Sequence, residues 1–386
     1  MIGAPAVPRT PLGLVGWRLA LLPPLAAVLA GAALALAVAA YGGYDPLGAD
    51  TWSRWDSLIY QDIAQHGYTS RPCPQWEIDD GARACGTFGW FPLYPAAMAP
   101  LVSLGVAPWA AGVLVAIAFW VAALVVIWNG LLLALGGRAA LAALGLAAFG
   151  PGAFYLHLVY PVSMTVCLLA VALVCLRRER WLGAGIAGGL AAASHPGAMA
   201  LIPVAGLWLA AIVPAPTLVE RARRIALVCG LTAAGFAAVL LYAELSTGQW
   251  DGYFGVQARF DHGVHLPFAN WLDLSTPRFE GLGNISIFIA LQSWFTTLLV
   301  AIVVATTWAR RATATPFDWL LVLWVLAFWL IPLAQDTVSY YRTDALLLPA
   351  AAAFVTLAPR LVWALALAGA AITAGMTLAF MQGVLV

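Results

Sequence analysis

The sequence has no lysine, and only 9% of its 386 residues are charged. Charged residues make up about a quarter of an average soluble protein, so this scarcity excludes an ordinary soluble domain. All 18 basic residues are arginine, which we attribute to codon bias in a GC-rich, bacterial genome. The sequence also lacks a P-loop, a glycine-rich dinucleotide turn and a basic patch. We therefore expect no nucleic acid among its partners.

Apolar residues are abundant by contrast, at 63% of the chain. Runs of about 18 or more of them recur along the whole length and predict membrane-spanning helices. We expect a polytopic all-α membrane protein with one domain, residues 1–386, whose first span is retained because no signal-cleavage pattern precedes it. The predicted spans cover about 19–42, 108–136, 139–152, 153–176, 181–194, 197–213, 225–243, 284–308, 317–334, 344–358 and 361–382.

Two long polar loops, residues 43–90 and 246–283, separate some of these eleven spans, and residues 91–105 predict a further helix at the outer surface. If the N-terminus is cytoplasmic, 12 of the 18 arginines fall on the cytoplasmic side and 14 of the 17 acidic residues fall outside. This asymmetry has the sign of the positive-inside rule. We therefore place both long loops, and most of the polar chemistry, at the extracytoplasmic face of a plasma membrane.

Cysteines occur in two settings. Cys73 and Cys85 lie twelve residues apart in the first outer loop, and they predict a disulfide if that loop faces an oxidising compartment. Cys167, Cys175 and Cys229 lie inside apolar spans, where a cysteine is an ordinary small core residue.

The first outer loop contains the densest group of polar and aromatic residues, between Trp52 and Tyr68. On a continuous helix, an apolar stripe would be formed by Trp52, Trp55, Ile59 and Ile63. Asp56 and Asp62 would flank this stripe on opposite shoulders, as in an amphipathic helix lying at a membrane surface. A carboxylate at a lipid boundary is disfavoured as an anion unless it is paired or hydrogen-bonded. Such an environment favours a raised pKa, which a general base for a hydroxyl needs. The alternative is an ordinary solvated loop with a lipid-facing helix.

These residues carry a resemblance to a known family. Arg54-Trp55-Asp56, Tyr60, Ile63-Ala64, Gly67-Tyr68 and the later Phe91-Pro92-Leu93-Tyr94-Pro95 resemble the signature of PIG-V type mannosyltransferases, which belong to the GT-C superfamily of polytopic glycosyltransferases. The resemblance implies a GT-C-like bundle and inverting transfer of a sugar, expected to be mannose, from a polyprenyl-phosphate donor to a hydroxyl acceptor. It assigns the role of catalytic base to Asp56. The acceptor would be a glycolipid, a polysaccharide or a protein.

Further candidate residues follow from position and chemistry. The donor phosphate would be held, or the base oriented, by Arg54, His195, Arg342 and Tyr341. The candidates for substrate binding are Tyr60, Asp62, His66, Tyr94, Tyr160, Arg259 and Trp271. Arg342 lies close to the apolar run Leu346-Leu347-Leu348. It therefore needs a partner, either Asp344 or a ligand phosphate, unless its side chain snorkels to the membrane interface. His195, which stands where the family carries an arginine before proline, is alternatively a polar cap.

No cofactor or metal is expected, because a lipid phosphate leaves without one and Asp261, His262 and His265 lack a fourth ligand. Two other functions remain open. A lipid or solute transporter would place polar residues within the spans and charges on both faces. A catalytically inactive scaffold on the same fold would keep every motif residue for packing.

Overall fold

The computed structural model describes residues 16–79, 81–258, 285–335, 340–383 and 385, and helices dominate this part of the chain. In chain order, the α-helices α1 to α16 are Trp17–Tyr41, Ala49–Trp52, Asp56–His66, Gln75–Asp79, Leu93–Ser103, Pro108–Ile127, Gly137–Phe149, Val162–Arg177, Trp181–Ser194, Leu201–Ala211, Leu218–Ile225, Leu231–Thr247, Gly252–Gln257, Ile285–Ala309, Pro316–Gln335 and Pro359–Met381.

Shorter elements complete this list. Two-residue strands β1 (Ser70–Arg71) and β2 (Cys85–Gly86) pair antiparallel, with Arg71 opposite Cys85. Two π-helical segments continue α6 and α11 without a break, at Trp128–Leu132 and Ala226–Gly230. The 3-10 helices are Leu133–Leu135, Ala153–His157, Pro196–Ala200 and Tyr340–Thr356. The last of these, called the 340–356 helix below, carries Arg342.

Among the described residues, six continuous helices are long and apolar enough to cross a membrane, so the expected class, an all-α polytopic membrane protein, is confirmed. They are Trp17–Tyr41, Pro108–Leu135, Leu218–Thr247, Phe288–Ala309, Pro316–Ala334 and Pro359–Met381. Shorter apolar helices accompany them at Leu93–Ser103, Gly137–Phe149, Val162–Arg177, Trp181–Ser194 and Pro196–Ala211. The count of eleven spans and the sidedness of the loops remain predictions.

One span is longer than predicted. The helix expected over 225–243 begins at Leu218, because the Thr217 hydroxyl accepts a hydrogen bond from the Glu220 backbone N–H at 3.1 Å and caps its N-terminus. Glu220 then pairs with Arg224 at 3.0 Å, one turn further along. The arginine-rich segment is therefore the first two turns of the helix, not a loop before it.

The predicted continuous helix over 52–68 is wrong. It breaks after Trp52 and restarts at Asp56, because Trp55 adopts a φ of 56°, which no α-helix accommodates. The buried face of α3 consists of Ser57, Tyr60, Ile63 and Ala64. Trp55, expected in the apolar stripe, is 46% exposed. Packing of α3 against α5 and α6 selects this face.

The helices pack in two neighbouring groups. In one, α8 lies between α6 and α9, and α9 also packs on α12. In the other, the 340–356 helix packs on α7 and α15, while α16 covers α7. The 340–356 helix also contacts α8, so it joins the two groups. Its N-terminal residues are therefore held against α14, the Ala153–His157 turn and α3 at once.

Candidate active site

An ion pair between Asp56 and Arg342 lies at the centre of the candidate site. Asp56 is the first residue of α3, and its Oδ2 accepts a hydrogen bond from Nη1 of Arg342, 286 positions further along the chain. The Asp56 side chain is 22% exposed and that of Arg342 13% exposed. A helix N-terminus and a guanidinium both stabilise a carboxylate. Asp56 is thus paired with a cation and still partly exposed.

The turn before Asp56 is held by side chains. Trp52 Nε1 donates to the Pro46 carbonyl at 2.8 Å. Gln61, on α3, donates back to the Ser53 hydroxyl and, at 3.0 Å, to the Ser57 carbonyl. These bonds hold together the two sides of the break at Trp55, next to Asp56.

Aromatic rings enclose the Arg342 guanidinium. Its central carbon lies 5.2 Å from the ring centre of Tyr160 and 5.9 Å from that of Tyr155, which is cation–π range. The Tyr155 ring is stacked on Tyr341 at 6.3 Å. All three tyrosines are almost fully buried. The rings shield the cation from solvent on one side and leave Asp56 as its charged partner.

Tyr60 and Tyr94 extend this group of rings, and the five tyrosines are called the aromatic wall below. Their rings meet edge to face at 5.6 Å, and Tyr60 is 6.4 Å from Tyr160. The Tyr94 hydroxyl donates to the Gly112 carbonyl at 2.8 Å, which ties α5 to α6. Burial, reinforced by the charge of Asp56, raises the pKa of Tyr60 well above its usual value. Tyr60 therefore presents a neutral hydroxyl to the site.

His195 reaches the same site from the end of α9. Its Nδ1 accepts a hydrogen bond from the Gly197 backbone N–H at 3.0 Å, so the imidazole does cap the following helix as one interpretation predicted. Burial, followed by the charge of Arg342, lowers the pKa of His195 to about 4. The ring is therefore neutral at physiological pH, and Nε2 is the nitrogen that carries the proton.

Arg54 has a different role from Arg342. Its carbonyl accepts a hydrogen bond from the Tyr160 hydroxyl at 3.1 Å. Its guanidinium extends towards the end of α16, with Nη1 close to Gly383. Within the part of the chain that the structure describes, Arg54 has no acidic partner and its buried Nε has no acceptor. The Arg54 guanidinium is thus a second cation, two residues before Asp56 in the chain, that no described acidic side chain neutralises.

Some predicted residues do not join the site. Asp62 and His66 form their own exposed pair, at 2.8 Å, one turn apart on α3. Cys73 and Cys85 are joined in a disulfide that closes the small β1–β2 hairpin. Arg259 and Trp271 lie outside the described residues.

Of the two partners predicted for Arg342, Asp344 is not one that it contacts, whereas the ligand phosphate stays a prediction. The two side chains leave the helix in different directions, because adjacent faces of a 3-10 helix are about a third of a turn apart. Asp344 Oδ2 instead accepts hydrogen bonds from Gln292 at 2.9 Å and Thr296 at 3.0 Å, both on α14. The one available signal was a polar patch within a mostly apolar span, formed by Gln292, Ser293, Thr296 and Thr297, and it does not show which of these residues meet Asp344. Tyr155 lies in an apolar run, so the sequence gave no indication that it belongs to the site.

An apolar groove of about 780 Å³ lies beside the site, between α3, α5, α9 and α12. Its lining includes Ile63, Ala64, Leu93, Ala96, Ala193 and Val239. Ile63 and Ala64 follow Tyr60 on the same helix, and Leu93 precedes Tyr94. The groove therefore shares α3 and α5 with the part of the aromatic wall formed by Tyr60 and Tyr94.

Comparisons with family models, curated proteins and solved structures found no match for this chain. Function must consequently be argued from the residues of the site. What the site offers is a partly exposed carboxylate with a fixed cation behind it, an available second cation, neutral hydroxyl and imidazole donors, and an apolar groove alongside.

Proposed function

We propose that this protein is an inverting glycosyltransferase of the GT-C type that uses a polyprenyl-phosphate sugar. The sugar is mannose by the resemblance of residues 52–95 to PIG-V type mannosyltransferases, and the reaction takes place at the extracytoplasmic face. The observation that carries the proposal is the Asp56–Arg342 ion pair. Asp56 is the carboxylate of the motif that resembles the family signature, and in the structure it forms an ion pair with Arg342.

The reaction requires one base. The acceptor hydroxyl oxygen attacks the anomeric carbon and gives its proton to Asp56, while the bond to the donor phosphate breaks and its electrons leave with the phosphate oxygen. A single displacement of this kind inverts the configuration of the sugar. Arg342 supports the step because its hydrogen bond holds the carboxylate in one orientation. The exposed pair of Asp62 and His66 has no comparable support.

The departing phosphate needs positive charge and hydrogen-bond donors. Arg54, which has no acidic partner among the described residues, can supply a two-pronged guanidinium contact. His195 Nε2 carries a proton in the neutral imidazole and can donate a hydrogen bond to the phosphate. Because the donor carries a single phosphate, the chemistry needs no metal to bridge a diphosphate.

The lipid part of the donor also finds a suitable environment. A polyprenyl chain is apolar and flexible, and burying its surface gains about 25 cal/mol per Å². The groove of about 780 Å³ offers apolar walls on α3 and α5, the helices that carry Tyr60 and Tyr94. This arrangement would bring a lipid headgroup to Asp56 while its tail stays in apolar surroundings.

The test is incubation of the purified protein, in vesicles, with radiolabelled polyprenyl-phosphate-mannose and a lipid extract, with and without EDTA. A glycosyltransferase moves the label to a new product whether or not EDTA is present. A transporter carries the intact labelled lipid across the vesicle membrane, and an inactive scaffold does neither. Protein-free vesicles provide the baseline. Label that remains on the donor in every condition would contradict the proposal.

A further inference from the structure

A buried polar cluster inside the bundle contacts the helix that carries Arg342. Gln292 Nε2 donates to the Tyr341 carbonyl at 2.8 Å and to Asp344 Oδ2 at 2.9 Å. Thr296 Oγ1 lies 3.0 Å from the same Oδ2 and 2.9 Å from the Gln292 carbonyl oxygen, so its one proton is shared between these two acceptors. Gln292, Thr296 and Asp344 are each at most 5% exposed. Polar groups in apolar surroundings are costly unless they satisfy one another, so this cluster specifies one arrangement of the two helices.

Because of the geometry of a 3-10 helix, the contact with Gln292 holds the first turn of the 340–356 helix at two points. With three residues per turn, Tyr341 and Asp344 lie on the same face, and a single Gln292 side chain reaches both. Arg342 lies on the next face, together with Ala345 and Leu348. At Arg342 that face is directed towards Asp56, Tyr155 and Tyr160.

The Arg342 face has its own support. A Cβ at Gly152 would lie 2.6 Å from the Ala345 backbone nitrogen, and one at Gly150 would lie 2.6 Å from Leu348 Cδ2. The turn Gly150–Gly152 therefore lets the 340–356 helix approach closely on this side. The helix is held between this turn and α14, so its rotation about its own axis is fixed. The direction of Arg342 is fixed with it.

We propose that Gln292 and Thr296 are positioning residues for the Asp56–Arg342 pair. Neither residue contacts that pair. They act through the Tyr341 carbonyl and the Asp344 carboxylate, which set the rotation of the 340–356 helix and so aim the Arg342 guanidinium at Asp56. The consequence for catalysis rests on the proposed glycosyl transfer, whereas the mechanical consequence does not.

The kinetic test is a double-mutant cycle. Gln292→Leu removes both donors, and Thr296→Val removes one hydroxyl at almost constant size. We expect kcat to fall about 100-fold in Gln292→Leu, the loss that a misplacement of about 1 Å produces, with less change in the KM for the donor. In an Arg342→Met background, the same Gln292→Leu change should have little further effect, because its target is already gone.

A matched control lies one residue from Thr296. The Thr297 hydroxyl donates to the Ser293 carbonyl of its own helix at 2.8 Å, so Thr297→Val removes a hydroxyl from α14 without touching the 340–356 helix. We expect it to leave transfer unchanged. Equal losses from Gln292→Leu with Arg342 present and absent would overturn the positioning role. If Gln292→Leu does not fold, Thr296→Val takes its place in the cycle.

Hydrogen–deuterium exchange provides a readout that is independent of activity. Gln292→Leu should raise amide exchange in residues 341–345 and also in the first turn of α3, where Asp56 lies, whereas Thr297→Val should change neither. Faster exchange in 341–345 with an unchanged first turn of α3 would overturn the inference. If the wild-type protein transfers no sugar, the proposed function fails, but this exchange measurement still decides the positioning role.

Discussion

Replacement of Asp56 by asparagine is the sharpest single change to the site, because it removes one charge and keeps the shape. The amide oxygen of the new side chain would still accept a hydrogen bond from Arg342. The guanidinium would still rest against Tyr160 and Tyr155, at 5.2 and 5.9 Å. The fold should therefore persist while the base is lost.

The stability cost can be bracketed from burial. Exposed ion pairs contribute about 0–1 kcal/mol, and breaking a fully buried pair costs about 3–5 kcal/mol. With exposures of 22% and 13%, the Asp56–Arg342 pair falls between these limits. We expect Asp56→Asn to lower the free energy of unfolding by about 1–3 kcal/mol, which leaves the protein folded.

The effect on catalysis should be much larger. A positioned general base contributes about 10²–10⁴-fold to the rate, and asparagine cannot accept the acceptor proton. Sugar transfer from radiolabelled polyprenyl-phosphate-mannose should therefore fall at least 100-fold, with the unfolding midpoint in detergent measured in parallel.

Asp62→Asn is the matched control on the same helix. Its carboxylate is 46% exposed and paired with His66, so the same chemical change should leave the transfer rate within about twofold of wild type, as expected for an i,i+4 pair of a few tenths of a kcal/mol. If Asp56→Asn retained more than about a tenth of wild-type transfer, or if both variants lost the same amount, the assignment of Asp56 as base would be refuted.

Three further predictions concern the surroundings of this pair. In the same transfer assay, Arg342→Lys should reduce transfer about tenfold and Arg342→Met about 100-fold or more. Lysine keeps the positive charge but loses the planar guanidinium, whereas methionine loses both. Equal losses in the two variants would contradict this. Because the pKa of His195 is about 4 in the folded protein and about 6.5 when unfolded, its contribution to stability is complete above pH 6.5 and is lost as the pH falls towards 4. The unfolding midpoint of His195→Asn should accordingly fall less than that of wild type between pH 7 and 5, and parallel curves would refute this. Gly152→Ala should lower both stability and transfer, because φ is +71° and the new Cβ would lie 2.6 Å from a backbone nitrogen. Gly248→Ala, with a φ of +72° and nothing within 4 Å, should cost only the backbone strain of about 1 kcal/mol and leave transfer intact.

The long spans were predictable from sequence because the length of an uninterrupted apolar run is enough to predict a membrane-spanning helix. The first span was expected over 19–42 and forms at Trp17–Tyr41, and the last was expected over 361–382 and forms at Pro359–Met381. The early start of the helix at Leu218 was missed because a capping threonine and a charged first turn look like a loop in a hydropathy scan. The positive φ at Trp55, which divides the predicted helix, has no sequence signature.

The site was predictable only in parts. Motif and position indicated Asp56, Arg342, His195 and Tyr160, and the structure brings them together. Their mutual roles were not predictable, because they depend on which way each helix is rotated. Arg342 turns towards Asp56, 286 positions away, although Asp344 is two residues from it. Local sequence carries no information about such a choice.

The most direct test of the proposed function is the anomeric configuration of the sugar that the purified wild-type protein transfers from radiolabelled polyprenyl-phosphate-mannose. A single displacement with Asp56 as base predicts a labelled glycoside whose configuration is opposite to that of the donor. A product that retains the donor configuration would exclude a single displacement from the face opposite the phosphate. That result, or the absence of any labelled product, would contradict the role of Asp56 proposed here.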